Sequence, residues 1–191
     1  MDEKEAIAKS RSGDVNSFNW LVVTYERQVY NLALSMLGNA HDAEDATQDA
    51  FVSAYRSIRR FKSSGFKQWI CRIAANACID KMRYRKRHPA SSIDNNPIDP
   101  PSNVPSEQPE EYALRMELRS LIDSKLALLP AELRLSVVLV DVQGMSYDEA
   151  AQVMGCALGT VKSRISRGRQ QMRKLLLADK ELLPAKFRHN I

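Results

Sequence analysis

The sequence predicts an all-α protein made of two small helical domains joined by a proline-rich linker. Three observations carry that expectation. Apolar residues recur at spacings of three and four along most of the 191 residues, with no sustained alternation and no Asn-Gly type hairpin turn, so helices are expected and strands are not. Six of the eight prolines, Pro89, Pro97, Pro100, Pro101, Pro105 and Pro109, fall in one stretch among Ser, Asn and Asp. Proline has no amide proton and biases its predecessor away from helix, so this stretch reads as an extended connector without a core. The charge is also partitioned: the net +5 resolves into −5 over residues 1–55, +10 over 56–88, −4 over 89–129, −3 over 130–157 and +7 over 158–191. Two cationic blocks separated by acidic chain point to two contacts with one polyanion.

Composition excludes several classes. No apolar run approaches the roughly 20 residues needed to cross a bilayer. The opening Met1 to Ser10 is charged and lacks the apolar core of a secretory leader. The expectation is a soluble, cytoplasmic protein with no membrane insertion of its own. Cys71, Cys78 and Cys156 are odd in number and have no CxxC spacing, which favours reduced apolar filling over a disulfide framework or a zinc ribbon. His41, His88 and His189 are scattered, and no phosphate-binding glycine loop or acid–base motif accompanies them. No cofactor, metal or catalytic step is expected.

The elements follow in order. Asp14 or Asn16 is placed to cap a helix with Phe18, Leu21, Val22, Tyr25, Val29, Leu32 and Leu37 in its buried stripe, ended by Gly38-Asn39. A second helix opens near Asp42, where Asp42, Glu44 and Asp45 suit the positive N-terminal dipole, and buries Ala46, Ala50, Phe51, Tyr55 and Ile58. A third runs from about Phe66 to Arg87. Phe66, Trp69, Ile70, Ile73, Ala77 and the methylenes of Lys81 share its core side, and Gln68, Arg72, Asn76, Ile79 and Arg83 fall opposite, where they can face a ligand.

Beyond the linker, a helix from about Pro109 to Leu129 precedes a break at Pro130, and a second runs from Glu132 to Val142 with Leu135, Val138 and Leu139 apolar, stopped by Gly144. Ser146 and Glu149 form a capping box for a short helix carrying Ala150, Ala151, Val153 and Met154. After the tight Gly155-Cys156-Ala157 turn, Leu158 to about Leu177 forms a long basic helix with Val161, Ile165, Met172 and Leu176 at core spacing. Two helices joined by a short glycine turn, the second one basic, match a DNA-binding helix-turn-helix. Lys162, Ser163, Ser166 and Arg167 lie opposite the core positions and should face the major groove, while Thr160 is placed to join a phosphate to the helix N-terminus. A plain helical hairpin has no need of Arg164, Arg167, Arg169, Arg173 and Lys174 on one helix.

Three blocks resemble one family. The run from Gly38 to Phe51 (GNAHDAEDATQDAF), the run from Trp69 to Asn76 (WICRIAAN) and the run from Gly159 to Arg164 (GTVKSR) are similar to bacterial RNA polymerase sigma factors of the sigma-70 superfamily, extracytoplasmic-function class. The resemblance covers residues 10–88 (region 2) and 112–178 (region 4). It implies a domain over 1–88, a flexible linker over 89–111, a second domain over 112–178 and a tail over 179–191. It also implies partners: core RNA polymerase through the clamp helices of its largest subunit and the flap of its second-largest, promoter DNA, and an anti-sigma factor. Asp45, Gln48 and Asp49 match the family's polymerase-docking positions. Phe61, Lys62, Ser63, Ser64 and Gly65, with Arg72, Asn76 and Arg83, match the part that captures an unstacked base of the minus-ten element and tracks the single strand. Thr160, Lys162, Ser163, Ser166 and Arg167 match the minus-thirty-five reader. The loop between Phe61 and Phe66 is one residue shorter than the common family pattern and lacks its usual acidic member. Trp69 falls on the core face, and Asp80 is expected near the core edge, paired with a neighbouring cation. The competing reading is a free-standing regulator with the same helix-turn-helix, which would bind DNA without polymerase.

Overall fold

The computed structural model describes residues 1–62, 65–88 and 109–179, and every regular element among them is helical. Ser63, Ser64, the expected extended path of the linker over 89–108 and the tail beyond 179 lie outside the described residues.

In the N-terminal half, α1 (Glu3–Arg11) leads into α2 (Val15–Leu37), which Asp14 caps by accepting the amides of Asn16 and Ser17. Gly38, at φ 70°, ends α2 in the left-handed region that glycine enters without a side-chain clash. Asn39 then accepts the Asp42 amide at 3.0 Å, so α3 (Ala40–Ser57) starts slightly earlier than Asp42. After a single 3₁₀ turn comes α4 (Phe66–Arg87), with the bounds the sequence suggested. Leu21, Val29 and Leu32 from α2, Ala46 and Ala50 from α3, and Phe66, Ile70 and Ala74 from α4 close the three-helix core. Val22 and Tyr25, expected inside, are only partly buried, and Tyr55 is exposed at the surface.

In the C-terminal half, α5 (Pro109–Ala127) and α6 (Ala131–Val137) flank Pro130. The helix expected to continue to Val142 instead widens into a π-helical turn at Val138–Val142, and Gly144, at φ 66°, reverses the chain. The short helix α7 (Tyr147–Met154) has the full capping box: Ser146 accepts the Glu149 amide, and the Glu149 carboxylate accepts the Ser146 amide. Gly155 ends it at φ 61°, and α8 (Leu158–Ala178) follows. Val161, Ile165 and Met172 are buried as expected, while Leu176 is half-buried.

The two halves are packed against each other. Buried residues of both belong to one hydrophobic cluster, with α6 and α7 against α4, and α5 and the π turn against α2. Arg134 of α6, only 6% exposed, donates to the carbonyl of Met36 at the end of α2 at 2.7 Å.

Candidate nucleic-acid and polymerase interfaces

The helix-turn-helix is α7, the Gly155 turn and α8. Lys162, Ser163, Ser166 and Arg167 are all exposed on one side of α8, with Val161 and Ile165 buried on the other. The Arg167 guanidinium folds back along the helix, its Nε donating to the Ser163 carbonyl at 3.3 Å. Thr160 is half-buried in the first turn, where its amide is already tied to the Ala157 carbonyl at 2.9 Å. The cationic crowding on α8 divides into two kinds. Arg164 pairs with Glu132 at 2.9 Å, and Arg169 makes a two-pronged pair with Asp141 at 2.6 and 3.1 Å. Both cations brace α8 against α6 and the π turn, so that part of the charge is engaged in holding the helices together.

On α4, Arg72, Asn76 and Arg83 are exposed on one side as the helical angle requires. Ile79, which the same angle places among them, is buried because the C-terminal half covers it. Asp80 pairs with Arg83 at 3.4 Å as expected, but it is exposed and not at the core edge. Of the preceding loop, Lys62 is exposed and Gly65 caps α4, whereas Phe61 is buried at 4% exposure. Its ring sits 4.7 Å from Trp69 and 6.0 Å from Phe66, centroid to centroid. Phe61 therefore anchors the loop in the core instead of offering a face to a base, and Trp69 belongs to the same aromatic cluster. Ser63 and Ser64 lie outside the described residues.

The acidic face of α3 separates in the same way. Gln48 and Asp49 point to solvent. Asp45 is half-exposed and bridges to Lys81 at 3.1 Å and to His41 at 4.0 Å, and the Lys81 ammonium holds its carboxyl below the usual value. Asp42, read from sequence as a dipole partner, is buried and paired with Lys81 and Arg85, locking α3 to α4. Beside Gln48, a groove of about 1070 Å³ runs between α2 and α3, lined by Phe18, Val22, Tyr30, Phe51, Val52 and Tyr55. The sequence reading missed it, because Tyr55 was counted with the core side of α3, whereas Tyr55 and Val52 are both exposed.

Cys71 and Cys78 are buried, and burial pushes both thiols up to about 12, which makes them inert filling. Among the described residues no group of three or more His, Cys, Asp or Glu could hold a metal ion, and no helix is long and apolar enough to cross a membrane.

Comparison with known proteins places these surfaces in context. Residues 21–88 match the Sigma-70 region 2 family model, and residues 119–172 match Sigma-70, region 4. The ECF RNA polymerase sigma factor SigW of Bacillus subtilis is 35% identical over 181 residues, covering 91% of this chain and 96% of that protein. The ECF RNA polymerase sigma factor SigE of Mycolicibacterium smegmatis is 38% identical over 164 residues, covering 84% of this chain; the match spans 62% of that relative's length. The sigma factor RpoE of Bartonella quintana, solved in complex with the anti-sigma factor NepR, has a TM-score of 0.67 at 28% identity, covering 86% of this chain and 99% of that one.

Proposed function

The chain belongs to the extracytoplasmic-function sigma factors of the sigma-70 superfamily, and from that premise we propose that its two halves divide promoter recognition by core RNA polymerase between them. Residues 112–178 act as the minus-thirty-five reader. The observation that carries this role is the single exposed face of Lys162, Ser163, Ser166 and Arg167 on α8, backed by buried Val161 and Ile165. Arginine and lysine donate to guanine edges or phosphates, and serine hydroxyls serve either. Thr160 at the helix start supports a phosphate.

Residues 1–88 dock on polymerase and handle the melted minus-ten strand. Asp49 and Gln48, with Asp45 beside them, present acid to the clamp helices, and the apolar α2–α3 groove extends that face. Lys62, Ser63, Ser64 and Gly65 form the base-capturing loop, held by the buried Phe61, and Arg72, Asn76 and Arg83 follow the strand. A melted strand offers phosphates to cations and free bases to polar pockets, and extruding one base costs only a few kcal/mol. The region-4 half meets the flap of the second-largest subunit. Residues 89–111 connect the two halves. The protein works in the cytoplasm, contributes recognition and melting, and leaves nucleotide chemistry to polymerase. By likeness to RpoE held by NepR, an anti-sigma factor restrains it.

The test is run-off transcription with core polymerase from a related bacterium on a promoter library, with and without the protein. New transcripts starting at a shared pair of promoter elements are expected. Failure to start any new transcript refutes the reading.

A further inference from the structure

The aromatic cluster at the start of α4 is spent on packing. Phe61 and Phe66 are buried, and Trp69 lies partly buried against both. α4 carries one further aromatic residue, Tyr84, and it is placed differently: two turns beyond Asn76, it is 53% exposed. Around the helix it stands about 80° from Asn76, on the border of the stripe that Arg72, Asn76 and Arg83 form. Its ring is 4.5 Å from that of His88, centroid to centroid, with the planes tilted by 37°. The imidazole thus packs on one side of the phenol, and much of the rest faces solvent. Arg83, Lys86 and Arg87 are exposed beside it, while Arg85 is drawn to the buried Asp42. Asp80, paired with Arg83, offsets part of that charge. An i,i+4 ring pair supports a helix end by itself, without cations around it. Single-stranded nucleic acid calls for both features, cations for its phosphates and a flat apolar face for its bases.

We propose that Tyr84, packed against His88, is a base-stacking platform at the far end of α4 from the capture loop, taking one base of the strand that Arg72, Asn76 and Arg83 track. The proposal rests on the reading of α4 given above and adds to it a second point at which a base is held. The rise from Gly65 to Tyr84 is about 28 Å, so loop and platform hold bases several nucleotides apart on one strand. Lys86 and Arg87 take the phosphates there. Stacking is tolerant of sequence because every base has a π face. The platform therefore fixes where the strand lies and leaves the choice of base to the loop.

The experiment uses holoenzyme assembled from core polymerase and the full chain. Its DNA is a pre-melted form of a promoter found by run-off, with 2-aminopurine, a fluorescent base quenched by stacking, placed at successive positions of the minus-ten strand. With the wild-type chain, quenching is expected at a position several nucleotides from the base that the loop captures. Tyr84→Ala should abolish the quenching there and weaken binding of the pre-melted DNA at least about fivefold, with the salt dependence of binding unchanged because no phosphate contact is lost. Tyr84→Phe, which keeps the ring and loses the hydroxyl, should behave as wild type. Unchanged quenching and binding in Tyr84→Ala overturn the proposal and leave the ring pair as a staple for the end of α4. A loss in Tyr84→Phe equal to that in Tyr84→Ala also overturns it, because the hydroxyl and not the ring face would then be the contact. If no promoter yields a transcript with the wild-type chain, the functional reading fails and the platform with it.

Discussion

The guanidinium of Arg134 reaches from α6 into the end of α2, where it donates to the Met36 carbonyl at 2.7 Å. Its other partners are the carbonyls of Ala127 and Leu129, and its Nε has none among the described residues. The last carbonyls of a helix lack intrahelical donors, and a cation there also meets the negative end of the dipole. Burial lowers the Arg134 pKa, yet a guanidinium stays charged at any ordinary pH. Arg134→Ala removes the donor and leaves a gap, so a loss of about 2 to 4 kcal/mol is expected. Arg134→Lys should recover only part of it, because one ammonium cannot span carbonyls from two elements. Urea unfolding of the full chain measures both; an Arg134→Ala midpoint equal to wild type would show that water replaces these bonds at no cost.

Gly168 sits in the middle of α8, where glycine is costly. A Cβ there would stand 2.7 Å from Val137 Cγ2 and 3.3 Å from the Leu133 carbonyl, so α6 and α8 pack at glycine distance. Gly168→Ala gains about 1 kcal/mol of helix propensity and loses more to overpacking, giving a net destabilisation of about 1 to 2 kcal/mol. Val137→Ala on the same chain should relieve part of the clash. A double-mutant cycle in denaturant checks this, and simple additivity of the two losses would contradict it.

Much of this was legible in the sequence because the signals were local. Gly38, Gly144 and Gly155 marked chain reversals, Ser146 and Glu149 wrote the capping box, and the bounds of α4 followed from apolar spacing. What stayed hidden depended on distant residues. The burial of Ile79, the pairing of Arg164 with Glu132 and of Arg169 with Asp141, and the role of Arg134 all require contacts between elements that periodicity cannot place. Phe61 was assigned to the base-capturing loop by the family resemblance alone. Its ring contacts with Phe66 and Trp69, which are residues of α4, place it inside.

Glu149 gives a pH dependence with a defined sign. The Ser146 amide is the largest cause holding its carboxyl below the usual value, and the Ser146 hydroxyl and Gln68 add to it. A carboxylate with a lowered folded pKa contributes stability that is present above its unfolded value, about 4.3, and lost as pH falls through the folded one. The stability gap between wild type and Glu149→Ala should therefore narrow steadily on acidification below about pH 5. Ser146→Ala should cost about 1 kcal/mol at neutral pH and raise the Glu149 midpoint only partway, since the amide remains. Carboxyl-carbon NMR titration reads the midpoint; a Glu149 titration at or above the ordinary value would remove the argument.

Two neighbouring arginines on α8 should separate recognition from folding. Arg167 is exposed on the same face as Lys162, Ser163 and Ser166, and its contacts are to its own helix. Arg169 is spent on Asp141, on the side that braces α8 to the π turn. Arg167→Ala should reduce discrimination between the cognate and a substituted minus-thirty-five element by about 1 to 3 kcal/mol while leaving the unfolding midpoint near wild type. Arg169→Ala should do the reverse, losing up to about 1 kcal/mol of stability, as expected for a partly exposed ion pair, with discrimination nearly intact. The measurement is competition between the two promoters for limiting holoenzyme, run beside denaturation of the free variants. Equal loss of discrimination in both would mean that the whole basic helix, and not the single exposed face, reads the DNA.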